Sequence, residues 1–121
     1  RWRYAFPARD LHHAGAPLTF GSDWPIVSMD PFRGIEAAVN RQAWAADLPS
    51  QAVSLAAALA AYTRTPAWVE FQEDTKGQLR PGMLADLVLL NADLFRLEGE
   101  AVAQVRPVLT VCDGKVVHDR T

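Results

Sequence analysis

The sequence predicts an α/β chain, and three observations carry that prediction. The stretch "FPARDLHHAG" has the marks of a short helix and leads through a tight link into the apolar run "PLTF". Ala- and Leu-rich segments with apolar residues at helical spacing fill the middle of the chain. From residue 77 the texture changes to short apolar and β-branched runs separated by Pro-Gly and Asp-Gly pairs, the pattern of strands and turns.

In chain order, Pro7 suits a first helical turn, Leu11 and Ala14 share a side, and Gly15 occupies the stop position. Residues 17–20 are mostly apolar without clean alternation, which predicts a strand covered on both faces, as in parallel sheets flanked by helices. After the loop "SDWPIVSMD", Asp30 and Pro31 form an N-cap and first-turn pair, and Ile35, Ala38, Val39 and Gln42 continue at helical spacing. Residues 47–50 punctuate that helix. Ser54 then caps "LAAALAAYTR", the strongest helical segment, and Thr65 and Pro66 restart a shorter one. Pro81-Gly82 marks a turn between two apolar runs, and Asp113-Gly114 between "VLTVC" and "KVVH" is the strongest hairpin signal. Composition divides the chain into a helical part, 1–74, and a β part, 75–121.

The bulk numbers narrow the function classes. At 121 residues and 50% hydrophobic, the chain can build one modest core. Its 12 basic against 14 acidic residues give a net charge of -2, with no basic stripe to track phosphates, so nucleic acid is excluded as an expected partner. No apolar run approaches the roughly 18 residues that span a bilayer, and the N-terminus lacks the apolar segment of a secretory signal, so no membrane is expected. The single Cys112 excludes an internal disulfide and reads as a small buried hydrophobe; a reducing, cytoplasmic compartment fits it.

Among candidate functional residues, Asp23 stands out because it follows a predicted strand directly. Such an acid can be a turn former, a helix cap or a metal ligand. Ser22 reads as a backbone-capping residue, or as one that supports the site through a hydrogen bond, rather than as a nucleophile, since no base is placed beside it. His12 and His13 read as helix-surface residues, and Asp86 as a turn or strand-edge anchor.

Four stretches, "GSDWPIVSMDPFRGIEAAVNR", "SLAAALAAYTRTPAWVEF", "KGQLRPGMLADLVLLNADLF" and "VCDGKVVH", in that order, resemble the C-terminal end of the amidohydrolase superfamily, in the branch called amidohydrolase family 3. The resemblance implies the last strand-helix unit of a (β/α)8 TIM barrel, its strand at about 17–21, followed by C-terminal helices and strands of a small β-sandwich. It implies a metal-dependent hydrolase acting on non-peptide C–N bonds of small amide- or formamide-like substrates. The implied cofactor is a divalent metal, zinc first, with iron or manganese as alternatives. Asp23 matches the family's last-strand aspartate, which binds the metal and handles the proton of the attacking water. Trp24 and Pro25 fall on the loop over the site, as a wall of the substrate pocket.

The family's remaining ligands, a His-x-His after the first strand, a Lys or acid in mid-barrel and two later His, have no counterpart. His12, His13 and His118 match none of them. The resemblance therefore implies a C-terminal fragment that is inactive as an isolated chain, in which Tyr62, Trp44, Trp68 and Phe71 are core or face the rest of a barrel. The alternative is a non-catalytic binding or scaffold module of the same fold, able to form a homo-oligomer that buries its sheet edge.

Overall fold

A computed structural model of the chain describes residues 4–121. Among the described residues four α-helices come first: α1 (Ala8–His13), α2 (Pro31–Val39), α3 (Leu55–Tyr62) and α4 (Arg64–Val69). Three strands follow, β1 (Leu87–Leu90), β2 (Pro107–Cys112) and β3 (Lys115–Asp119), with 3-10 helices at Leu94–Arg96 and Gly99–Gln104 between β1 and β2.

Local chemistry explains most of these boundaries. Asp30 Oδ1 accepts the Phe32 N–H at 3.0 Å and Ser54 Oγ accepts the Ala57 N–H at 3.2 Å, so each caps the helix it precedes. Asn40, whose N–H bonds Glu36 O, ends α2, so Gln42 lies beyond the helix that the spacing extended to it. Helix α4 starts at Arg64, one residue ahead of the predicted restart at Thr65 and Pro66, with Pro66 still within its first turn. Asp93 caps the first 3-10 helix through the Phe95 N–H at 3.0 Å, an element that the sequence pattern did not announce.

The strands form one antiparallel sheet in the order β1-β2-β3. Asp113 and Gly114 turn the β2–β3 hairpin with φ of 49° and 74°, the left-handed pair that an Asp-Gly turn supplies. Asp86 holds that turn from outside: its Oδ1 accepts the Asp113 N–H at 2.7 Å. The Pro81-Gly82 turn also forms, closed by Met83 N–H to Arg80 O, but the residues before it take no strand.

Two expectations are corrected. Residues 16–22 carry no strand: the run is joined to the helices through Phe20 N–H and Ala61 O at 3.0 Å, and no neighbouring strand among the described residues gives it a ladder. Cys112 is exposed, because it is the last residue of β2 before the turn.

The core joins both compositional halves. Phe32 and Ile35 of α2, Val53 and Ala58 of the second helical region, and Leu94, Val102 and Val105 from between the strands form one buried cluster. Trp44, Trp68 and Phe71 stand outside it, more than half exposed, whereas Tyr62 packs against it. The accessible surface is 8684 Å². That is about a third more than the ~6,500 Å² typical of a closed monomer of this mass, so much apolar side-chain area faces outward.

Candidate functional site

The segment from Gly21 to Asp30 links the irregular apolar run after α1 to the start of α2. Asp23 takes φ 48°, in the left-handed region that Asp enters more readily than most residues. Its carbonyl accepts the Ile26 N–H at 2.8 Å, closing a turn that contains the cis Trp24–Pro25 peptide. Its carboxylate is exposed and makes no hydrogen bond or ion pair with the described residues.

The far end of the segment is fastened more firmly. Ser28 Oγ accepts the Asp30 N–H at 3.2 Å, Asp30 caps α2, and Asp30 Oδ2 lies 3.7 Å from Arg106 Nη1. Arg106 Nη1 also donates to the Ala103 and Val105 carbonyls, at 2.9 and 2.7 Å, so this end of the loop is tied to the β part. Ser22, expected to bond the backbone, makes no such bond among the described residues; Ser28 takes that role.

The other candidates sit on other elements. His12 and His13 are exposed on α1, their rings 6.3 Å apart, and His118 pairs with Thr110 across the sheet. Among the described residues no group of three or more His, Cys, Asp or Glu could hold a metal ion. Trp24 and Pro25 are exposed on the Asp23 turn, and neither lines the apolar cavity of about 490 Å³ that reaches Gly21 from between Leu11, Phe20 and Tyr62. Burial raises the Tyr62 phenol above its usual range there.

Two structural features escaped the sequence reading. Arg41 sits over the rings of Phe6 and Trp44, at 5.5 and 5.8 Å, and donates to Ala5 O. Buried Gln51 exchanges two hydrogen bonds with Asp10, 41 residues away, a pairing that no local pattern signals.

The match to known proteins decides the family. A family model described as amidohydrolase family covers residues 1–118. The chain belongs to the amidohydrolase family. Its curated amidohydrolase relatives include the putative amidohydrolase YtcJ of Bacillus subtilis, 28% identical over all of this chain and 24% of the relative. The N-substituted formamide deformylase of Arthrobacter pascens is 30% identical over 96% of this chain and 22% of its own length. Protein LONG AFTER FAR-RED 3 of Arabidopsis thaliana is 36% identical over 70% of this chain and 15% of its own length. A crystal structure of an amidohydrolase from Thermotoga maritima superposes with a TM-score of 0.72 over 91% of this chain and 25% of that one, at 21% identity, and so shares the fold. The chain thus spans about a quarter or less of these relatives and corresponds to a C-terminal part of an amidohydrolase.

Proposed function

We propose that this amidohydrolase segment serves a hydrolase of non-peptide C–N bonds in small amide- or formamide-like molecules, with Asp23 as its chemical contribution. The observation that supports the reading is an exposed carboxylate, without a partner among the described residues, on a turn directly after the apolar run that the resemblance aligns with a last barrel strand. In such barrels the reacting groups sit where strands end. The relative named for N-substituted formamide deformylation supports the substrate class.

Members of the family are generally metal-dependent. The described residues do not by themselves fit a catalytic metal, which takes about three protein donors and an open position. Asp23 offers one carboxylate, so the remaining donors, and with them zinc, iron or manganese, belong to polypeptide beyond this sequence.

The role of Asp23 follows from its own chemistry. A carboxylate with no partner among the described residues keeps both oxygens available, so it can accept a proton from an attacking water and return it to the departing nitrogen. The short side chain limits where that proton is held. Trp24 and Pro25, on the same turn, would bound the substrate beside it.

Incubating the 121-residue chain with zinc, iron(II) or manganese(II) and a panel of simple amides and formamides tests this division of labour. No turnover is expected from the isolated chain. Metal-dependent hydrolysis by it would overturn the view that the other ligands lie elsewhere. The non-catalytic module reading has no observation that favours it over this one.

A further inference from the structure

Resting on the reading of Asp23 above, we infer that Tyr62 is a positioning residue: one side chain that clamps both ends of the segment bearing Asp23 and so sets where its carboxylate stands. The segment runs between two anchors, Phe20 before it and helix α2 after it, and Tyr62 touches both. Its ring meets the Phe20 ring edge-on, with centroids 5.8 Å apart and planes at 69°. On its other side the phenol lies against Gly34 of α2, so closely that a Cβ there would overlap the hydroxyl. The absence of a side chain at Gly34 is what admits the ring to the helix backbone.

The residue before Tyr62 completes the upstream anchor, because Ala61 O accepts the Phe20 N–H at 3.0 Å. Among the described residues, Phe20 is the last before Asp23 whose backbone is hydrogen-bonded to another element. Three residues of chain reach at most about 11 Å, so a shift at Phe20 is passed to Asp23 with little slack. Beyond it, the Ile26 N–H to Asp23 O bond closes residues 23–26 into one turn, which moves as a unit. A group that must meet a proton at one point tolerates little such movement, since a misplacement of about 1 Å can cost on the order of 10²-fold in rate. The Tyr62 hydroxyl makes no hydrogen bond with the described residues, so the ring and not the oxygen holds the segment. Ring carbons Cζ and Cε2 stand 3.0 and 3.5 Å from where a Gly34 Cβ would lie, so phenylalanine keeps both contacts.

The test uses the complete metal-loaded hydrolase, assayed well below the Tm of each variant on the simple amide or formamide that it turns over fastest. Tyr62→Leu is expected to lower kcat about tenfold with KM within about twofold, and Tyr62→Phe to stay at the wild-type value. Phe20→Leu, which removes the partner ring and leaves Tyr62 seated on Gly34, is expected to reproduce the loss. In an Asp23→Asn background neither leucine change should lower the residual rate further, because the group they misplace is already disabled. Amide exchange at Ile26, which needs no turnover, should quicken about tenfold in Tyr62→Leu and not in Tyr62→Phe. Unchanged kcat or exchange in the leucine variants, an equal loss in Tyr62→Phe, or full additivity with Asp23→Asn would overturn the inference. Asp23→Asn alone separates the two readings: full activity there contradicts the role of Asp23, whereas its loss beside normal leucine variants contradicts only the clamp.

Discussion

Ile35 and Ile26 are the same residue nine positions apart, and the chain treats them in opposite ways. Ile35, on α2, is 2% exposed inside the cluster with Phe32, Val53 and Val105, whereas Ile26, on the Asp23 loop, is 74% exposed. Helix α2 buries its apolar stripe because Asp30 and Pro31 start it at a fixed point and the 3-10 helix at Gly99–Gln104 packs across it. The loop is pinned just as definitely, yet its apolar side chains point away from the core. The comparison teaches that apolar content in this chain has two uses, stability in one region and an outward surface beside Asp23 in the other.

Substitution can break that comparison. The largest stability effect is expected at the core: Ile35→Ala removes a fully buried side chain and should cost about 2–5 kcal/mol in urea unfolding. Ile26→Ala in the same experiment should stay within about 0.5 kcal/mol. Equal losses would mean that the loop residue is structural after all.

Next in size is Gly34→Ala. A Cβ at Gly34 would meet the Tyr62 hydroxyl and ring, so Tyr62 must shift out of its place against the core. A loss of about 1–3 kcal/mol is expected, from overpacking rather than from helix propensity, which favours Ala. Tyr62→Phe in the same background should recover part of it.

Asp30→Ala removes the α2 cap and the Arg106 contact together, and about 0.5–2 kcal/mol should be lost. Most of that belongs to the cap, since an ion pair this exposed contributes little. Arg106→Gln measured beside it should therefore show the smaller loss.

The smallest effects are in pH. Burial raises the Tyr62 phenol, so its contribution to stability is present below the usual phenol range and is lost as pH climbs through the raised value. Thermal unfolding should fall off less steeply at alkaline pH in Tyr62→Phe. The Asp119 carboxylate is lowered by hydrogen bonds from the Thr121 N–H and hydroxyl, so its contribution holds above the usual carboxylate range and fades as pH falls through the lowered value. Amide exchange at the end of β3 should quicken only in that acid range.

What could be read from the sequence follows the range of the interaction. The caps at Asp30 and Ser54 and the Asp113-Gly114 hairpin were legible because each depends on a few adjacent residues. Asp86 was legible as an anchor, though the turn it holds lies 27 residues away. The missing strand at 17–20 was not, because a strand exists only where another supplies its hydrogen bonds, and apolar character cannot report that. Whether Trp68 and Phe71 are core or outward-facing was left open for the same reason, because periodicity gives a helix face but not what covers it; in the structure both are exposed. In the candidate site, the place of Asp23 at the end of an apolar run was visible in the order of residues. Its left-handed backbone and free carboxylate were not, since both depend on how the turn closes.

The most direct measurement is kcat of the complete metal-loaded hydrolase with Asp23→Asn, taken together with its Tm. An exposed carboxylate that moves protons should, when neutralised, cost about 10²–10⁴-fold in kcat while Tm stays within about 2 °C. Full activity in that variant, or a lost activity that merely tracks a lowered Tm, would contradict the account.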